Sequence, residues 1–204
     1  MKIFITGTDT NVGKTLISSW IALHTGFSYF KPIQTGLNEG SDSLEVHKLS
    51  KAKTYLEVYA YKEPLSPHLA AKIENDMIDI EKIVLPEVSN LIIEGAGGVL
   101  VPINDSYLMI DLIKKLDAPV ILIAPTTLGT INHTLLSLEA LKSRNIMVLG
   151  VIMNGKQNPQ NSNAIEFYGC TSVLAEFPKL ESVSMNALKS IALSQKLKQL
   201  LKVE

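Results

Sequence analysis

Apolar positions along this chain fall into two alternating patterns. Short runs rich in β-branched residues predict strands over 2–6, 28–32, 90–94, 119–125, 147–153 and 172–176. Between them, apolar residues recur at helical spacing and predict helices over 14–25, 42–51, 66–74, 79–89, 107–116, 129–144, 161–167 and 184–202. The strand runs are mostly apolar along their centres rather than alternating, as suits strands covered on both faces. Strand–helix alternation of this kind implies right-handed crossovers and an α/β fold, with a mostly parallel central sheet and helices on both faces. The order of strands in the sheet is left open by the pattern. No internal repeat, low-complexity tract or linker divides the chain, so residues 1–204 are expected to form a single domain. The most polar stretch, 154–163, contains Pro159 and reads as a loop after a strand. In open α/β sheets that end of the strands is where ligands bind.

Composition narrows the class. The 204 residues are 46% hydrophobic and 19% charged, a globular balance with ample material for one core. A formal net charge of −1 gives no electrostatic reason to expect nucleic acid or an anionic membrane as partner. Cys170 is the single cysteine, which excludes an intrachain disulfide and a cysteine-rich metal site; beside Gly169 it reads as an inert turn residue. The first strand pattern begins at residue 2, with no leader expected before it, and the longest apolar runs are strand-sized. A cytoplasmic enzyme or switch fits these bounds.

Candidate chemistry concentrates where strands end. Ile3, Phe4 and Ile5 lead into a loop edged by Gly7 and Gly13, and Lys14-Thr15 then opens the helical pattern Leu16, Ile17, Trp20, Ile21, Leu23. Strand, tight loop and helix N-terminus in that order make a phosphate cradle of inward-facing amides. Lys14 can reach the β- and γ-phosphates, and Thr15 supplies the hydroxyl such sites offer to Mg²⁺. The spacing departs from the strict Walker form, since Thr8 stands where glycine is usual and Gly7 lies one residue upstream. Lys31, after Tyr29-Phe30, would project into the same crevice, although alone it reads as a surface lysine before a turn. Asp42 is either a helix cap or a carboxylate available to a metal. Glu94 ends an apolar strand and precedes Gly95, Ala96, Gly97 and Gly98, a place suited to a carboxylate that holds Mg²⁺ beside a phosphate loop. Gly129 opens a helix whose N-terminus can take an anion. His24, His47 and His133 have no partner at metal-ligand spacing and read as structural.

Taken together these segments resemble the dethiobiotin synthetase family. The stretches that carry the resemblance are Thr6-Gly7-Thr8-Asp9-Thr10-Asn11-Val12-Gly13-Lys14-Thr15, Lys31-Pro32-Ile33-Gln34-Thr35-Gly36, Ser41-Asp42, Glu63-Pro64-Leu65-Ser66-Pro67-His68, Glu94-Gly95-Ala96-Gly97-Gly98 and Leu128-Gly129-Thr130-Ile131-Asn132-His133. They run in the family's order over residues 6–133, with weaker agreement at Asn154 and Pro178. The resemblance implies a P-loop NTPase-like fold and the carboxylation and ring closure of 7,8-diaminononanoate with CO₂ and ATP. It implies that Asn11, Val12, Gly13, Lys14, Thr15 and Leu16 wrap the triphosphate, with Lys14 bridging phosphates and carbamate. Thr15, Asp42 and Glu94 would hold Mg²⁺, and Lys31 would be the second catalytic lysine. Thr10, Asn11, Lys31 and Thr35 would face the diamine, and the backbone of Glu94, Gly95, Ala96 and Gly97 would line the γ-phosphate end. Asn154 would read the nucleobase beside Pro178, Lys179 and Leu180. Family members are homodimers, and Gly129, Thr130, Ile131 and Asn132 would reach the substrate carboxylate of the neighbouring subunit.

The chain also departs from the family's pattern. Asn11 stands where many members carry Glu, and the segment Glu176-Phe177-Pro178-Lys179-Leu180 lacks the tryptophan often found after that proline. An acidic ribose contact has no clear counterpart, Glu181 being a poor stand-in, which leaves nucleotide selectivity open. A partitioning-type switch ATPase is the alternative. Its signature lysine, five residues before the invariant one, is here Asp9. Cobyrinate-type amide synthetases add a glutaminase domain that this length does not accommodate.

Overall fold

The computed structural model describes residues 1–203. Its elements run β1 (Lys2–Gly7), α1 (Lys14–Thr25), β2 (Ser28–Phe30), β3 (Ile33–Gln34), α2 (Asp42–Ser50), β4 (Thr54–Tyr55), β5 (Tyr59–Ala60) and α3 (Pro67–Ile73). After a 3₁₀ turn (Ile80–Lys82) come β6 (Leu91–Gly98), α4 (Met109–Leu116), β7 (Val120–Pro125), α5 (Thr130–Ser143), β8 (Val148–Asn154), α6 (Pro159–Gly169), β9 (Val173–Phe177), α7 (Met185–Ser190) and α8 (Gln195–Leu201). Among the described residues, a seven-stranded sheet runs β4-β2-β6-β1-β7-β8-β9, and a two-stranded sheet pairs β3 with β5. Their strand pairings are parallel.

Alternate residues of each strand feed two cores, because side chains change face at every step. Phe4, Ile93, Leu122 and Val151 pack on one face with α4, α5 and α6. Ile3, Ile5, Tyr29, Ile92, Ile121 and Ile152 pack on the other with α1, α2, α7 and α8. Glu94 shares the parity of Ile92 and therefore faces α1. The central strand β1 lies between β6 and β7, so the loop that follows it opens at the middle of the sheet.

Four expectations need correcting. Glu94 does not end its strand: β6 continues to Gly98, which pairs with Gly7 after a register shift between Ile5 and Gly7. The helix expected over 79–89 is one 3₁₀ turn. Asp79 caps it through Glu81 N at 2.9 Å, and Pro86 holds the residue before it out of helical geometry. The helix expected over 184–202 is two, because Ile191 is extended and Ser194 caps α8 by accepting from Leu197 N at 3.1 Å. The polar stretch 154–163 is loop only in part, since α6 starts at Pro159.

The C-terminal helices are fastened to α1 by Trp20, which is 1% exposed. Its indole N–H donates to Ile191 O at 2.7 Å, and its ring meets Phe177 edge-on at 5.0 Å. Trp20→Ala is expected to cost about 3–5 kcal/mol, the usual loss for a large buried aromatic. Urea unfolding should show a lower midpoint at an unchanged slope, and a midpoint within error of the parent would contradict this role for Trp20.

Candidate functional site

The loop after β1 turns back on itself over residues 8–13 and delivers the chain into α1 with Gly13 as N-cap. Gly13 has φ of 95°, and a Cβ there would lie 2.1 Å from Asn154 Nδ2. Both facts require glycine, one for backbone strain and one for space. Asn154, at the end of β8, donates from Nδ2 to Val12 O at 2.9 Å and so closes over the loop. Asn11 also takes a left-handed conformation, φ 59°, which Asn tolerates better than Glu would. Lys14 curls back over the loop and donates to Asp9 O at 3.0 Å. The end of β6 approaches the loop closely: a Cβ on Gly98 would meet Thr8 O at 3.3 Å.

Behind the loop lies a cluster of buried charges. Glu94 is fully buried. Its Oε1 accepts from Thr15 Oγ1 at 2.9 Å and from Lys31 Nζ at 3.2 Å, while Oε2 accepts from Ser18 Oγ at 2.8 Å. The Lys31 ammonium also pairs with Asp42 Oδ2. Asp42 begins α2, where Ser41 caps by accepting from Leu44 N, and its own N–H donates to Gln34 Oε1 at 3.2 Å. Thus Thr15, Lys31, Asp42 and Glu94, more than sixty residues apart in sequence at the extremes, are joined by direct bonds. Lys31 is therefore no surface lysine, and the cap is Ser41 while the Asp42 carboxylate pairs with Lys31.

Burial disfavours the charged form of Lys14 and lowers its pKa to about 8, although Glu94 and Asp42 oppose the shift. Burial acts on Lys31 in the same sense, but Glu94 and Asp42 outweigh it and raise its pKa. Among the described residues no group of three or more His, Cys, Asp or Glu side chains could hold a metal. The available donor set is two carboxylates and one hydroxyl, all hard oxygen ligands. It suits Mg²⁺, which keeps water or phosphate oxygens in its remaining positions. That the set already embraces one cation, the Lys31 ammonium, fits such a role.

The remaining residues singled out in the sequence take no part in the side-chain bonds of this cluster. Thr10 and Asn11 are exposed, Leu16 and Thr35 are half-buried, and Gly95, Ala96 and Gly97 lie within β6. Gly129 caps α5 with φ of 95°; Thr130 is buried with no partner for its hydroxyl, while Ile131 is half-buried and Asn132 exposed. Pro178, Lys179 and Leu180 follow β9. Among the described residues, no hydrogen bond or ion pair joins these two groups to the charge cluster. Sequence reasoning passed over Ser18 and Gln34. Ser18 was detectable, standing three residues after Thr15 on the same helix face.

A family model described as an AAA domain matches residues 1–187. The chain is 58% identical over 200 residues to the ATP-dependent dethiobiotin synthetase BioD of Lawsonia intracellularis, with 98% of each chain covered. It is 48% identical over 184 residues to the enzyme of the same name from Paramagnetospirillum magneticum, covering 89% of this chain and 90% of that one. Among solved structures it is similar to a MinC:MinD cell division protein complex from Aquifex aeolicus, at TM-score 0.61 and 15% identity, with 100% and 96% coverage. That last likeness is one of fold alone: the sheet is that of P-loop NTPases.

Gly13→Ala is expected to weaken nucleoside triphosphate binding at least tenfold, since αL strain alone is on the order of 1–2 kcal/mol before the clash with Asn154. Titration with a fluorescent ATP analogue measures it. Wild-type affinity would mean that the loop does not hold its present geometry when ligand is bound.

Proposed function

Because the chain belongs to the ATP-dependent dethiobiotin synthetase family and is an ATP-dependent ligase, we propose that it carboxylates 7,8-diaminononanoate and closes the ureido ring in biotin biosynthesis. The observation that carries the mechanistic reading is the junction of phosphate loop and Lys31 through one buried carboxylate, Glu94. In this reading one substrate amine captures CO₂ as a carbamate and loses a proton. A carbamate oxygen then forms a bond to the γ-phosphorus as the bond to ADP breaks. The second amine attacks the resulting carbamic-phosphate carbon, the ring closes, and inorganic phosphate leaves. No protein nucleophile is needed.

The chain's own work is positioning and charge. Lys14 and Lys31, both buried, bring two cations to a place where carbamate and triphosphate would otherwise repel. The amides of Asn11, Val12, Gly13 and Leu16 surround the phosphates, and Glu94, Gly95, Ala96 and Gly97 line their γ end. Thr15, Asp42 and Glu94 would hold Mg²⁺, which supplies charge neutralisation at the phosphate oxygens. Thr10, Asn11 and Thr35 face the diamine. Asn154 keeps Oδ1 and one N–H beyond its bond to Val12, the acceptor–donor pair that matches the N6/N7 edge of adenine. Pro178, Lys179 and Leu180 flank the base. The active unit is a homodimer in cytoplasmic use, with the amides at Gly129, Thr130, Ile131 and Asn132 taking the tail carboxylate of the neighbour's substrate.

Phosphate release is expected to require Mg²⁺, the diamine and bicarbonate together. Equal turnover without the diamine would instead favour a switch ATPase of the partitioning type.

Lys31→Ala should lower kcat by about a hundredfold or more, as loss of one transition-state stabiliser commonly does. The same variant should need less Mg²⁺ for half-maximal rate, because Lys31 occupies the two carboxylates assigned to the metal. Near-parental kcat would remove Lys31 from the chemistry. A raised Mg²⁺ requirement would remove the competition.

A further inference from the structure

One polar side chain bonds Glu94 from the side away from the phosphate loop and a second lies diagonal to it in the sheet, and the proposed chemistry uses neither. Ser18 lies on α1 one turn beyond Thr15, is fully buried, and gives its hydroxyl proton to Glu94 Oε2 at 2.8 Å. Tyr29 lies on β2, fully buried, with a phenol oxygen that has no well-formed hydrogen bond. Its register partner on β6 is Ile92, so Tyr29 and Glu94 are diagonal neighbours on one face of a parallel pair. A tyrosine spans that diagonal distance.

We propose that Ser18 and Tyr29 are positioning residues that hold Glu94 from beneath, so that Oε1 alone is presented to the cation site. The inference rests on the reading of Glu94 as a metal ligand. The two carboxylate oxygens are already sorted: Oε1 meets Thr15 and Lys31 on the loop side, and Oε2 meets Ser18 on the core side. When a cation replaces the Lys31 ammonium at Oε1, the bonds on that side are exchanged. The Ser18 bond beneath is not. A carboxylate in a closed apolar sheet has no water to restrain it, so rotation about its last torsion is limited only by such donors. The phenol, without a committed partner in this arrangement, is free to donate to the carboxylate as its loop-side bonds change. Outer partners of ligating carboxylates commonly govern metal affinity in this way.

The test uses the full chain with Ser18→Ala, Tyr29→Phe and Glu94→Gln. Mn²⁺ binding in the presence of a non-hydrolysable ATP analogue is followed by electron paramagnetic resonance. Analogue affinity without metal and thermal unfolding are measured alongside. Ser18→Ala and Tyr29→Phe are each expected to weaken Mn²⁺ binding about tenfold or more, the usual effect of removing an outer partner, while metal-free analogue affinity stays within about twofold. Tyr29→Phe keeps the ring and its packing, so the comparison survives if Ser18→Ala folds poorly. Parental Mn²⁺ affinity in both variants, with affinity lost in Glu94→Gln, overturns the proposal and leaves Glu94 as ligand. Parental Mn²⁺ affinity in Glu94→Gln overturns the ligand reading and the proposal with it. Equal loss of metal and metal-free analogue binding would assign the pair to general folding, and also overturns it.

Discussion

A carboxylate buried in the middle of a parallel sheet is the constraint around which the rest of this molecule is arranged. Glu94 has no solvent contact, and an ionised group in that position is tolerated only if its charge is balanced and its lone pairs are met. Both conditions are satisfied by residues from separate elements: Thr15 and Ser18 from α1, Lys31 after β2, and Asp42 at the start of α2 through Lys31. β2, only three residues long, lies beside β6 rather than at the sheet edge. Lys31 leaves that strand directly opposite the carboxylate it must reach.

Local signals in the sequence revealed the parts of this arrangement but not their contacts. The loop, Lys14 and Thr15 were legible because strand, glycine-edged turn and helix start are consecutive. The bounds of α1 follow directly from its apolar spacing, and the helix runs Lys14–Thr25. Asp42 was ambiguous between cap and ligand, and stays so until Lys31 is seen against it, because both roles place an acid at a helix start. Glu94 was identified, yet its setting was misjudged: glycines after an apolar run suggested a strand end, whereas pairing with β1 carries β6 on to Gly98. Tyr29 read as an ordinary strand aromatic. Its phenol acquires meaning only through the register that puts it diagonal to Glu94. The failed helices share another cause. Around Pro86 and Ile191, apolar spacing continued through places where backbone conformation broke, and apolar spacing carries no information about φ and ψ.

The charge balance of the cluster bears on how the site handles its substrates. Lys14 and Lys31 contribute two positive charges, and Asp42 and Glu94 two negative ones, so the group is neutral as it stands. Lys31 is held by both carboxylates, which favours its protonated state, while Lys14 has only a backbone oxygen as partner and its pKa falls to about 8. The two lysines are thus in different conditions. On the proposed reading a triphosphate lies against Lys14, and its negative charge would favour the protonated form. Lys31 cannot reach a second anion until something replaces it between Asp42 and Glu94. A divalent cation arriving with the nucleotide is suited to do so, since it offers those oxygens twice the charge. Exchange of cations at Glu94 would then release the Lys31 ammonium toward the substrate side of the crevice only when nucleotide and metal are both in place. On the proposed reading, one buried carboxylate would make the order of binding a consequence of electrostatics rather than of any large movement of the fold.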